Sequence, residues 1–78
     1  MEKIWLREVS MQHPKKWVVM THLEWDKEVM NKKIGVVYKV FDTHAEALEI
    51  MRSLDESYGM VSIIEGFDDT PQIGGLFG

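Results

Sequence analysis

Apolar and polar positions change period along the chain, and the changes mark its elements. From Trp17 to Trp25 the residues read Trp-Val-Val-Met-Thr-His-Leu-Glu-Trp, dense in β-branched and aromatic side chains. A period of two puts Trp17, Val19, Thr21, Leu23 and Trp25 on one face, and Val18, Met20, His22 and Glu24 on the other. The first face is the drier, and the segment is expected to be a strand. Ile34 to Phe41 repeats the pattern, with Ile34, Val36, Tyr38 and Val40 on its cleaner face. The polar residues 26–33 between them read as a loop, so antiparallel pairing of the two strands is the default. Val29 and Met30 are apolar inside that loop and are expected to extend a strand or to contact a partner.

After Phe41 the period becomes helical. Thr43-His44-Ala45-Glu46 has the form of a capping box, in which the threonine hydroxyl accepts from the backbone three residues on. Asp42 adds negative charge where a helix N-terminus favours it. Ala47, Met51, Leu54 and Tyr58 then fall at i, i+4, i+7 and i+11, an amphipathic stripe, and Gly59 is a natural stop. The spacing predicts a helix over 44–57. Met60 to Ile64 reads as a third, short strand. Residues 2–12 fit either a short helix ended before Pro14, with Trp5, Leu6 and Val9 at helical spacing, or a peripheral strand.

The expected fold is therefore α+β: a small three-stranded, mostly antiparallel sheet in β-β-α-β order, with one principal helix packed on one face and a short N-terminal helix as an option. Residues 1–67 make the domain. Residues 68–78, with a proline and three glycines in the last eight positions, make a flexible tail.

Composition narrows the function classes. A chain of 78 residues, 45% hydrophobic and 28% charged, is one ordinary globular domain and not a disordered or collagen-like one. With no cysteine there is no disulfide framework, thiolate nucleophile or zinc–thiolate site. Small secreted domains usually need such staples, so a cytoplasmic location is expected. The apolar runs fall well short of the ~18 residues of a membrane span, and Met1 to Glu8 shows no signal-peptide pattern, so no membrane role is expected.

The net charge of −4 is unevenly placed. Residues 1–41 hold eight bases and five acids, a net of +3; residues 42–78 hold one base, Arg52, and eight acids, a net of −7. Nucleic-acid modules concentrate their basic residues with interleaved aromatics, and these are scattered, so no nucleic acid is expected as a partner. An acidic half suits a basic partner protein.

Candidate chemistry is sparse. His13, His22 and His44 form no i, i+4 pair and belong to no metal-ligand motif, so neither metal nor cofactor is expected. The serines lie in no nucleophile elbow, and Glu46 and Glu49 sit three apart on a solvated helix face; no catalytic residues are assigned and the chain is read as a non-enzyme. The expected function is a protein-interaction module, such as an adaptor, inhibitor or regulatory subunit. It would act through an exposed sheet edge, Trp25 and the apolar tail residues Ile73, Leu76 and Phe77 beside Asp68 and Asp69. The partner is another protein, or a second copy paired through a sheet edge. The alternative is a small-ligand domain in which His22, Glu24 and Tyr38 line a polar sheet face. Phe41 to Leu48, following two strands, resembles the strand-to-helix junction of HicB-like antitoxin domains over eight residues. The Pro-x-x-Gly-Cys-type segment preceding that junction in the family is missing, and no membership follows.

Overall fold

A computed structural model describes residues 2–67 of the chain. It is an α+β domain whose elements run β1 (Ile4–Trp5), α1 (Leu6–Gln12), β2 (Trp17–Trp25), β3 (Lys33–Phe41), α2 (His44–Ser53), a 3₁₀ turn (Glu56–Tyr58) and β4 (Ser62–Glu65). The sheet has four strands, not three, in the order β1-β3-β2-β4, with every neighbouring pair antiparallel. The extra strand comes from the N-terminal segment, which is both strand and helix: Ile4 and Trp5 pair with Gly35 and Ile34, and α1 starts at the next residue. Two residues are too few for a period of two to show. Since β3 and β4 both run antiparallel to β2, they are parallel to each other, and α2 is the crossover between them.

Central in the sheet, β2 is also buried on both faces. Val18, Met20 and Leu23 join Val9 of α1 in one cluster, with Ile4, Leu6, Val37, Val40 and Ile64 against it. By alternation Trp17, Val19 and Thr21 turn to the opposite face. There Val19, Thr21 and Ala47 of α2 are buried, and the Trp17 ring meets His44 edge-on at 4.7 Å between centroids. The expectation of one drier face is thus corrected: the principal helix α2 covers one face, and the short N-terminal helix, expected as an option, covers the other. A strand covered on both sides carries an apolar run instead of an alternation, which Val18-Val19-Met20 shows.

Two bulges break the alternation. Thr21 pairs with Val36 but Glu24 with Ile34, which leaves an extra residue on β2 where His22 adopts a left-handed φ of 52°. The bulge moves Leu23 to the face of Val18 and Met20. Opposite it, a Cβ added at Gly35 would stand 2.5 Å from Leu23 Cδ2, so any larger residue would make the Leu23 side chain shift. On β3 the register shifts between Val19–Lys39 and Met20–Val37, leaving Tyr38 as the extra residue.

The cap of α2 is as its sequence predicts: Thr43 Oγ1 accepts from the Glu46 N–H at 3.2 Å and donates to Glu46 Oε1 at 3.0 Å. The helix stops at Ser53, four residues short of the expected 57. Ser53 Oγ donates to the Ile50 carbonyl at 2.6 Å, Leu54 is extended, and the Asp55 carboxylate caps the 3₁₀ turn by accepting from Ser57 N–H at 2.9 Å. The Ser57 hydroxyl, which also donates to this carboxylate, holds the Asp55 carboxyl below its ordinary range, with the backbone bond adding to it. Tyr58 on the turn is half-buried against the Tyr38 and His22 rings, and Gly59 with φ of 69° directs the chain toward β4. The third predicted strand begins at Ser62, since Met60 instead gives its carbonyl to Leu23 N–H at 3.1 Å.

Candidate functional site

The β2–β3 hairpin ends in a loop that its own backbone holds in shape. Asp26 Oδ1 accepts from the N–H groups of Glu28 at 2.7 Å and Val29 at 3.0 Å, and Asp26 N–H donates to the Lys32 carbonyl at 2.7 Å. Asn31 takes a left-handed φ of 62°, which asparagine tolerates better than most residues. The two backbone donors hold the Asp26 carboxyl below its ordinary value. Asp26 is drawn into the loop's own hydrogen bonds, and the loop presents its apolar side chains to solvent alongside the exposed Lys27, Glu28 and Asn31: Trp25 is 61% exposed, Val29 50% and Met30 89%. Three large apolar side chains on one short hairpin end, one of them tryptophan, form a convex, pre-shaped contact surface.

Cations stand against this surface. Lys33 Nζ lies 5.6 Å from the centre of the Trp25 ring. Farther along the same end, Trp5 has Lys32 Nζ at 5.4 Å and the Arg7 guanidinium at 5.8 Å. Trp5 forms a ridge between two shallow grooves. One, of about 310 Å³, reaches Asp26, Lys32 and Ile34; the other, of about 490 Å³, runs over Met11 and Gln12 of α1. The rims mix charges, with Glu2, Glu8 and Asp26 beside Lys3 and Lys32 around the first and Arg7 beside Glu8 around the second, so this methionine and tryptophan surface suits a protein partner with an apolar patch bordered by charges of both signs.

The alternative polar face is not assembled as the spacing suggests. The bulge separates His22 from Glu24. Glu24 binds Lys3, which lowers its carboxyl below the ordinary range first through the hydrogen bond and then through the charge. His22 instead approaches the Tyr58 ring at 6.4 Å, and Tyr38 meets Tyr58 edge-on at 5.4 Å. Hydrogen bonding with Tyr38 raises the Tyr58 phenol above the usual tyrosine range. Two of the three proposed ligand residues are therefore joined through Tyr58, which periodicity assigns to the helix stripe, while the third belongs to an ion pair. His13 ends α1, and His44 packs on Trp17. Among the described residues no three His, Asp or Glu side chains converge to hold a metal ion, and no helix is long and apolar enough to cross a membrane.

Of the interaction residues named from sequence, Trp25 is on the hairpin end. Asp68, Asp69, Ile73, Leu76 and Phe77 lie outside the described residues. Val29 and Met30 were legible as apolar positions in a polar loop, and the structure places them beside Trp25 on the same end. No known protein family, characterised protein or solved structure is detectably similar to this chain.

Proposed function

We propose that the chain is a non-enzymatic protein-interaction module of the cytoplasm, an adaptor, inhibitor or regulatory subunit that docks a protein partner through the hairpin end centred on Trp25. The observation that carries this reading is the outward display of Trp25, Val29 and Met30 on a loop that the Asp26 carboxylate holds in shape. A loop already fixed in its bound form loses little conformational freedom on binding, and a tryptophan at the centre of a contact supplies a large share of its affinity. The apolar and acidic residues Ile73, Leu76, Phe77, Asp68 and Asp69 form a second proposed contact with the same partner.

Affinity capture with the intact chain, with a Trp25→Ser/Met30→Ser variant and with a control at the exposed Arg52 of α2, Arg52→Ser, tests the reading. The partner should be retained by the intact chain and the control and lost by the double variant, since truncating a hot spot costs about 2 kcal/mol or more, roughly thirtyfold in affinity. A partner held equally by all three would place the contact elsewhere.

A further inference from the structure

The outer edge of β3 is only partly covered, because β1 pairs with just two of its residues. Gly66 N–H donates to the Lys16 carbonyl at 2.7 Å. Lys16, Val18 and Met20 therefore turn their backbone groups toward β4, while Trp17 and Val19 turn theirs toward β3. Trp17 pairs with Phe41 and Val19 with Lys39, so Phe41 and Lys39 face β2 and the N–H and C=O of Val40 between them face outward. On that side β1 reaches only Ile34 and Gly35. Among the described residues nothing bonds to the outward groups of Val40.

Beside this free edge lies a groove of about 270 Å³ lined by Phe41, Ala45, Ile50, Glu46 and Glu49. An apolar floor with two carboxylates at its rim suits a side chain with an aliphatic stem and a cationic head. Lys39 is such a side chain. It is exposed, shares its face with Phe41, and holds its ammonium 5.5 Å from the centre of that ring.

We propose that the free edge of β3 pairs antiparallel with the same edge of a second copy, about a two-fold axis at Val40. Such pairing joins the outward N–H and C=O of Val40 to those of Val40 in the other copy. It also sets Lys39 of each copy opposite Phe41 of the other, at the mouth of the groove rimmed by Glu46 and Glu49. The register satisfies backbone and charge together: Lys39 meets carboxylates across the axis and not its own twin. A self-complementary patch on a two-fold axis is the commonest geometry of association between like chains. A neighbouring strand is also the usual cover for an exposed edge. The surface is separate from the hairpin end, so neither proposal depends on the other.

Sedimentation equilibrium from micromolar to near-millimolar concentration, with amide exchange followed by NMR, tests it. The intact chain should dimerise, and the Val40 amide should become slow to exchange as the dimer forms. Lys39→Glu alone and Glu49→Lys alone should each weaken association about tenfold or more, because each sets like charges face to face across the axis. Mixed in equal amounts, the two variants should dimerise with each other, since both contacts then join opposite charges. Trp25→Ser should leave the dimer unchanged. A monomer at every concentration overturns the pairing and leaves the edge to an extended peptide of another protein. A dimer whose Val40 amide exchanges freely, or two charge variants that fail to recover in the mixture, overturns the register.

Discussion

Gly66 shows how much of this fold rests on single positions. The end of β4 closes against the loop after α1: Gly66 N–H reaches the Lys16 carbonyl, Phe67 N–H reaches the Ser10 carbonyl at 2.8 Å, and Ser10 Oγ reaches the Glu65 carbonyl at 2.8 Å. A Cβ at position 66 would stand 1.9 Å from the His13 carbonyl oxygen and 2.9 Å from Lys16 N and O. All three are backbone atoms, so no side chain can rotate out of the way. At Gly35 the closest atom, Leu23 Cδ2, is the far end of a flexible side chain. Gly66→Ala is therefore expected to destabilise by about 3 kcal/mol, the upper part of the range for overpacking, and Gly35→Ala by less. Paired urea denaturation curves of the two variants measure the difference. If Gly35→Ala proves the more costly, the closure around residues 13–16 is looser than described.

At the level of elements, α2 is short and mostly solvent-facing, with Ala47 its one fully buried residue, so its start must be fixed locally. Thr43 does this through the bond to Glu46 N–H, and Thr43→Ala should lower stability by about 1 kcal/mol, read as a fall in denaturant midpoint at unchanged slope. An unmoved midpoint would mean that packing of Ala47 alone positions the helix. This element was the most legible in the sequence because a cap is a local signal, carried by residues three apart. The two long strands were legible for the same reason, in their period and β-branched content. Legibility failed where the decisive partner is distant in sequence. Thr21 and Glu24 give no hint that Gly35 opposite will admit an extra residue, so the face of Leu23 and the separation of His22 from Glu24 could not be read. The helix end was missed because Asp55 and Ser57, ordinary polar residues in a helical stripe, instead form a cap of their own. The pairing of Ile4 and Trp5 was hidden by its length. At the candidate site, Trp25, Val29 and Met30 were each visible as residues, but their common exposure depends on Asp26 turning the loop.

Among the described residues, the molecule is a sheet with a helix on each face, and Val9, Val18, Met20 and Leu23 form a packed cluster there. A chain this small buries only about 60% of the surface its unfolded form exposes, so each tertiary contact is a large fraction of a small net stability. Phe67 ties the end of β4 to the rest, its N–H donating to the Ser10 carbonyl and its carbonyl accepting from the Lys15 N–H at 3.3 Å. These bonds join β4 to α1 and to the loop leading into β2, completing the ring of contacts around Val9 and Ile64. Removing residues 68–78 should accordingly leave the unfolding midpoint within about 0.5 kcal/mol of the intact chain, the range of changes that touch no packed group. The dispersion of amide signals in the NMR spectrum should be preserved as well. The same truncation should weaken capture of the partner while leaving the Trp25 contact in place, so affinity falls without disappearing. If the 1–67 chain instead loses its cooperative transition, residues 68–78 complete the core, and Ile73, Leu76 and Phe77 are packing residues rather than a binding segment. Stability and capture measured on one truncated chain separate these outcomes, because a binding segment changes only the second and a core segment changes both.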